Sequence, residues 1–386
     1  MRLVRVAVNA EQLLYRSPGG IGRYTAQLLT LLPREHPDDE VVAFTARHPR
    51  PAVSATLRRA GVGQAVADGC IVLPLPRPLL YEGWVRWGQP RLPGLDGADL
   101  VHAPSVAVPP HPRVPLVVTV HDAGPELFPE AFSARGRRFH RLGLAAAARR
   151  ADLVLTVSQA AADEITSRSP ILETRIRVIP NAVDPPLLAP ERRRQLLAAR
   201  GLLDRPFVLW VGSLEPRKGV GTVVAAMARL RRRPGPAGDV ALVLAGYPGW
   251  LNDRLLPAAD RAALGADLRQ LGPVTDEELW ALYAGATVFA FPSRHEGFGL
   301  PVLEAMSQGS AVVASDIPAL RELAGGAARF VPAGDVEGWA DAIGELLADG
   351  AERQRLAQAG RRRADRYAAA EWVARIRSVY AELLGR

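Results

Sequence analysis

The chain has 386 residues, more than one simple core accommodates and about right for two domains of ordinary size. With 48% hydrophobic and 23% charged residues it is neither disordered nor collagen-like, and no window reaches the roughly 18 uninterrupted apolar residues of a membrane span. One cysteine, Cys70, excludes an internal disulfide, and no Cys/His cluster has metal-ligand spacing; the net charge of +8 suits an anionic partner or simply records an arginine-rich composition.

The opening "MRLVRVAVNA" is too short in its apolar part for a signal peptide and reads as a first strand, so a cytoplasmic location is expected. Further strand-length apolar runs follow at 41–46, 100–104, 116–122, 153–158 and 176–181, alternating with longer amphipathic stretches. That β-α-β-α rhythm predicts parallel strands joined by crossover helices. It thins between 185 and 205, where prolines and an arginine cluster suggest a junction, and restarts with runs at 206–213, 240–247, 268–274, 286–293, 310–316 and 328–334. Helical patterns lie between these at 219–232, 276–284, 300–308, 337–348 and 352–366. The resulting division is an N-terminal domain over 1–185, a linker over 186–205, a C-terminal domain over 206–366 and a last segment over 367–386. In that segment Trp372, Val373, Ile376, Val379, Tyr380 and Leu383 recur at helical spacing, which predicts an amphipathic helix. Two doubly wound domains would face each other across a cleft at the carboxyl ends of their strands, where such folds bind ligands.

The strand ends carry the chemistry. After the first strand, "EQLLYRSPGGIGRY" places Gly19, Gly20 and Gly22 before a helical pattern, a backbone suited to phosphate, although the spacing is not that of the dinucleotide fingerprint. His121 and Asp122 follow the strand at 116–120; such a histidine either hydrogen-bonds a sugar hydroxyl and acts as an acid or base, or is a loop residue capped by Asp122. Tyr81, Trp84 and Trp87 read as an aromatic platform or, more simply, as packing. The arginine-rich stretch 135–152 fits an anionic membrane surface or a solvated helix.

In the second half, "WVGSLEPRKGVGT" sets Arg217 and Lys218 at the opening of a helix, a strong anion site in which Lys218 stands as the one lysine among 48 basic residues. "SRHEGFGLPVLEAMSQG" then carries Glu296 in a loop and Glu304 on the following helix. A carboxylate accepts paired hydrogen bonds from vicinal hydroxyls, whereas amides near Gly299 and Leu300 suit phosphate. Sugar and phosphate in one ligand describe a nucleotide sugar.

Over nearly its whole length the sequence resembles the retaining glycosyltransferases of family 4, which have the two-domain GT-B architecture. The motifs that carry the resemblance are "GGIGRY" (19–24), "HD" (121–122), "TVS" (156–158), "VIPNAVD" (178–184), "VGSLEPRKG" (212–219), "GPVTDEEL" (272–279) and "EGFGLPVLEA" (296–305). The resemblance implies that Gly20 and Gly22 approach the donor phosphate and that His121 touches the donor sugar. Gly212, Arg217 and Lys218 would lie at the diphosphate, and Val274 would offer its backbone to the base. Glu296, Gly297, Phe298 and Gly299 would bind hexose hydroxyls, Leu300 would present an amide to phosphate, and Glu304 would bind the ribose. It further implies a last helix that crosses back onto the first domain. Ala182 and Ala311 depart from the family pattern, where glycine and proline are usual; Ala182 therefore needs no positive φ.

The activity so implied is hexose transfer with retention, from a nucleotide diphosphate sugar to a glycan or lipid-linked acceptor, with neither cofactor, metal nor nucleic acid taking part. "HD" followed by "PELFPEAF" is similar to the mannosyl-transferring branch, which favours GDP-mannose over UDP or dTDP sugars. A nucleotide-sugar epimerase or hydrolase, a phosphorylase and a non-catalytic nucleotide-sugar sensor are rival readings. Peripheral contact with the inner face of a membrane is compatible with each.

Overall fold

The computed structural model describes residues 4–385 apart from 92–94, 96, 111–112, 234–238 and 249–254. It separates into two compact units, Met1–Asn181 with Ala369–Arg386, and Ala182–Ala368.

The first unit is built on a seven-stranded sheet of β1 (Arg5–Asn9), β2 (Glu40–Thr45), β3 (Ile71–Val72), β4 (Leu100–Ala103), β5 (Leu116–Thr119), β6 (Leu153–Thr156) and β7 (Ile176–Val178). Their order is β3-β2-β1-β4-β5-β6-β7 and every pairing is parallel. β4, β5 and β6 are buried throughout, as strands covered on both faces must be, and so their sequence runs show no polar alternation. The two-residue strand β3 has no counterpart among the expected runs, because its residues are too few to form a pattern. The strands also end two or three residues earlier than the apolar runs at 116–122, 153–158 and 176–181, since the residues beyond each strand end line buried turns.

The helix Ala369–Leu383 belongs to this first unit, where it packs on the helix Gly19–Glu35. Trp372, Val373, Ile376, Val379 and Tyr380 are all buried, which at about 2 kcal/mol per large side chain contributes roughly 10 kcal/mol of apolar burial. Polar contacts fix its register: Arg377 holds Asp39 at 2.6 Å, and the Tyr380 hydroxyl is 2.7 Å from His102 Nδ1.

The second unit contains β8 (Phe207–Val211), β9 (Ala241–Ala245), β10 (Leu268–Gly272), β11 (Val288–Phe291), β12 (Ala311–Ser315) and β13 (Arg329–Val331), in the order β10-β9-β8-β11-β12-β13 and again wholly parallel. The helix Val220–Leu230 packs beside Val336–Ala348, sharing a core that includes Val223, Met227, Trp339 and Ile343. Residues 186–205, expected as a linker, hold the helix Pro190–Ala199 and are part of this unit. That helix lies on Asp276–Gly285, with Arg200 bound to Glu278 at 2.6 Å and Arg192 bound to Glu277 at 2.7 Å. Arg192 of this helix and Arg200 just beyond its end are thus paired on the surface of the domain. The short helices Ala258–Leu264 and Pro318–Ala324 were not expected either, being too brief for a helical period to show.

Candidate functional site

In each sheet the order reverses once, between β1 and β4 in the first unit and between β8 and β11 in the second. The connections from strands on either side of such a reversal diverge to opposite faces and leave a crevice at the carboxyl ends. In the second unit the two segments singled out by the sequence leave these two neighbouring strands. β8 runs through Gly212 into a 3-10 turn, Pro216–Lys218, and the helix Val220–Leu230; β11 runs into the loop 292–299 and the helix Leu300–Gln308.

Two glycines allow the close packing here, Gly219 between these segments and Gly299 against the helix Pro318–Ala324. Gly219 has φ +65°, and a Cβ there would lie 2.1 Å from the Pro292 carbonyl oxygen, so only glycine lets the first turn rest on the second loop. Gly299 has φ +107°, and a Cβ would meet Leu320 at 2.4 Å. The backbone then closes the contact, with the Arg294 amide donating to the Arg217 carbonyl at 2.8 Å and the Trp210 indole donating to the Lys218 carbonyl at 3.2 Å.

Within this frame Lys218, Arg217 and Glu296 converge. Lys218 Nζ is 2.6 Å from Glu296 Oε1, and Arg217 Nη1 is 3.7 Å from the same oxygen while donating to the His295 carbonyl at 2.8 Å. Ser293, wholly buried, places its hydroxyl 2.6 Å from Glu296 Oε1. The three charged side chains are between 10% and 16% exposed, so their charges act in a medium far less screening than bulk water. Burial, with the Arg217 charge behind it, pushes the Lys218 ammonium below its usual value despite the opposing pull of Glu296. Burial alone would raise the Glu296 carboxyl, but the charges of Lys218 and Arg217 and the bonds from Lys218 and Ser293 outweigh it and hold the group below the ordinary range. At neutral pH Lys218 and Arg217 both face the Glu296 carboxylate, and a second carboxylate, Glu215, lies 3.9 Å from Arg217 Nη2, so the four charges of the cluster balance until an anionic ligand competes for the cations. Arg217 Nε is buried and has no hydrogen-bond partner among the described residues, so a strong donor is left over.

The other expected residues of this unit lie on the loop and helix after β11 and on the turn after β10. Leu300 is the first residue of its helix, where its amide has no intrahelical acceptor, and Pro301 behind it has no amide to satisfy. Phe298 is buried edge-on against Tyr367 at 5.7 Å, so its side chain packs and only its backbone can serve a ligand. Glu304 is buried on the same helix and accepts from the Tyr283 hydroxyl at 2.8 Å. Val274 lies between β10 and the helix Asp276–Gly285, which opens on a reciprocal cap between Thr275 and Glu278. Sequence reading passed over Ser293, whose only signal was its place three residues before Glu296, and Tyr283, which nothing in the sequence marks.

In the first unit the helix begins at Gly19, earlier than expected, which places Gly20 and Gly22 within its first turns. The Gly22 amide donates to the Pro18 carbonyl at 3.0 Å, and a Cβ at that position would lie 2.3 Å from the Pro18 side chain. Gly22 thus serves helix entry and has no amide to spare, whereas the amides of Gly19 and Gly20 lie in the first turn, which lacks intrahelical acceptors. Half-buried His121 donates from Nε2 to the Pro104 carbonyl at 3.0 Å, and Asp122 Oδ1 accepts from the Gly124 amide two residues on at 2.8 Å. Burial draws the His121 ring below its ordinary pKa, against smaller opposing effects of the Pro104 carbonyl and the Asp122 charge. The ring is therefore neutral at pH 7, and with its proton on Nε2 it offers Nδ1 as an acceptor.

Of the aromatic trio, Trp84 is fully buried, stacked on Tyr81 at 5.4 Å, and only Trp87 is exposed, at 69%. Ala182 is buried with no positive φ, since no described non-glycine residue has one. Beneath His121, Tyr24 and Thr119 share a hydrogen bond of 2.9 Å, and Thr119 is 2.7 Å from His102 Nε2. With Tyr380 on the other nitrogen, His102 links the last helix to β5, and burial drives its pKa down to about 3.

Residues 194–363 match the family described as glycosyl transferases group 1, and residues 18–186 match glycosyltransferase family 4. The chain is 30% identical over 352 residues to the O-antigen chain mannosyltransferase B of Escherichia coli, covering 87% of this chain and 88% of that protein. Among solved structures it resembles sucrose-phosphate synthase from Thermosynechococcus elongatus, with a TM-score of 0.75, 23% identity and 99% of each chain covered. It also resembles Anabaena HepE in complex with UDP-glucose, with a TM-score of 0.74 and 20% identity over 98% of this chain and 99% of that one. At these identities the two structures speak for the fold.

Proposed function

We propose, on the premise that the chain belongs to the group 1 and family 4 glycosyltransferases and to their mannosyltransferase-like branch, that it moves mannose from GDP-mannose to a hydroxyl of a glycan or lipid-linked acceptor with retention at the anomeric carbon. The observation that carries the reading is the convergence of Arg217, Lys218 and Glu296 at the carboxyl ends of β8 and β11.

In the reaction, the bond from the anomeric carbon to the diphosphate breaks and the electron pair leaves with the phosphate oxygen. The acceptor oxygen bonds to the same face of the sugar, and its proton passes to the departing phosphate. Negative charge grows on the diphosphate as it leaves, and Arg217 and Lys218 are aimed at such charge by a buried, preorganised turn. That arrangement does the work a divalent cation would otherwise do. Glu296 holds hexose hydroxyls and stabilises positive charge at the sugar, rather than forming a covalent bond to it. The loop amides through Gly297, Gly299 and Leu300 serve phosphate and sugar, with Gly212 flanking the diphosphate. Val274 serves the base, and Glu304, poised by Tyr283, the ribose. In the first unit the neutral ring of His121 is suited to accepting a hydrogen bond from a sugar hydroxyl, a role that replaces the acid/base one.

The mannose assignment draws on the mannosyltransferase named above; a UDP-sugar donor is the second reading, favoured by the UDP-glucose complex of the Anabaena protein. A peripheral membrane contact is supported by exposed Leu79 and Trp87 on the helix Arg77–Trp87, beside the arginine-bearing helix Ala134–Arg150. Among the described residues no helix is long and apolar enough to cross a membrane. The deciding experiment incubates the protein with a panel of nucleotide sugars and candidate acceptors and reads the product anomer. An inverted product or activity abolished by chelator refutes the mechanism. Hydrolysis or epimerisation alone points to the rival enzymes, and binding without turnover to a sensor.

A further inference from the structure

We infer that Ser293 is a positioning residue that holds Glu296 by one oxygen, Oε1, and so turns the other, Oε2, toward the donor sugar. The inference rests on the proposed role of Glu296 at the hexose. The Ser293 hydroxyl has three acceptors in reach, Glu296 Oε1 at 2.6 Å, the His295 carbonyl at 3.1 Å and the Arg217 carbonyl at 3.2 Å. It carries one proton, which goes to the charged and nearest acceptor. Every polar contact of Glu296 among the described residues falls on that same oxygen: Ser293, Lys218 at 2.6 Å and Arg217 at 3.7 Å. Oε2 takes none of them.

The three tethers differ in what a ligand does to them. Lys218 and Arg217 are the groups proposed to meet the diphosphate, and a charge drawn toward phosphate is shared away from Glu296. Ser293 is neutral, fully buried and on the same loop, so a bound diphosphate has no claim on it. It is the tether that stays in place while donor is bound, and its backbone is fixed one residue after the Pro292 carbonyl that only Gly219 can approach. A carboxylate released from it would rotate, and a vicinal pair of sugar hydroxyls would lose a fixed partner.

The test is calorimetric and needs no acceptor. A panel of GDP-mannose, UDP-glucose and a dTDP sugar identifies the best-binding nucleotide sugar, and each affinity is compared with that of its own nucleoside diphosphate. The wild type binds the nucleotide sugar more tightly than the diphosphate, and Ser293→Ala loses about tenfold of the sugar affinity while its affinity for the diphosphate stays within threefold. The Glu296 carboxylate, faced by Lys218 and Arg217 from the β8 turn, by Glu215 through Arg217, and by Ser293 and His295 on its own loop, then protonates more easily. The acid edge of the sugar-dependent increment accordingly moves to higher pH, and Ser293→Thr, which keeps the hydroxyl, restores both affinity and edge. Loss of sugar and diphosphate affinity together in Ser293→Ala, or an unchanged increment, overturns the positioning role. A wild type that binds no nucleotide sugar overturns the proposed function, and this role with it. If the threonine does not fit the buried site, as its melting temperature will show, the alanine pair of affinities still decides.

Discussion

Replacing Lys218 with arginine keeps the net charge and changes only how that charge is shaped. The ammonium sits 2.6 Å from Glu296 Oε1 and 5.6 Å from the centre of the Phe291 ring, with 14% of the side chain exposed. Behind it the backbone cannot retreat, because the neighbouring Gly219 already lies against the Pro292 carbonyl. A guanidinium is longer and broader than an ammonium and spreads its charge over a planar fork. Forcing it into a packed site costs about 1–3 kcal/mol of stability, which for a unit of this size lowers Tm by about 2–10 °C. A displaced charge at the diphosphate costs about as much as losing one preorganised donor, on the order of 100-fold in turnover or about 2.7 kcal/mol of barrier. The assay follows donor consumption and product with the nucleotide sugar that the panel identifies, alongside a thermal melt. Lys218→Met, which is slim but neutral, should lose turnover as severely and, by taking the nearest partner from a buried carboxylate, should lower Tm as well. Turnover of Lys218→Arg within threefold of wild type at unchanged Tm refutes the reasoning and reduces the lone lysine to a quirk of composition.

Glu296→Gln keeps the shape but leaves Lys218 and Arg217 without their carboxylate, so transfer should fall on the order of 100-fold or more while nucleoside diphosphate still binds; undiminished turnover would remove Glu296 from the site. Gly219→Ala should cost about 3 kcal/mol or more, measured by chemical denaturation, from a positive φ and a collision with the Pro292 carbonyl. His102 is held near 3 in the folded state, whereas an unfolded histidine titrates near 6.5, so its contribution to stability is complete above pH 6.5 and is lost as pH falls toward 3. At about 1.4 kcal/mol per pH unit, the wild type should lose about 2 kcal/mol more than His102→Gln between pH 6.5 and pH 5 in urea titrations, and parallel losses would show that the histidine is not responsible. Finally, Leu79→Ser with Trp87→Ser should weaken binding to vesicles containing anionic lipid by about tenfold or more; equal binding by wild type and variant would dismiss the membrane contact.

The alternation of apolar runs and helical periods was enough to read two parallel, doubly wound sheets, because a strand buried on both faces must be apolar throughout and a crossover helix must be amphipathic. Local chemistry was equally legible where one segment carried all of it: Arg217 with Lys218 at a helix opening, and Glu296 before Gly299 and Pro301. Tertiary structure decided what depends on the meeting of segments distant along the chain. Nothing in the sequence shows that Lys218 and Glu296, 78 residues apart, share a hydrogen bond, or that Ser293 competes for the same oxygen, since both follow from β8 and β11 being neighbours. The same holds for His102 bridging Thr119 and Tyr380, and for Gly22, which looked like phosphate-loop backbone until its amide was found bonded to Pro18. Residue type and spacing specify what a group can do; distance and burial, set by strand order, specify which partner it does it with.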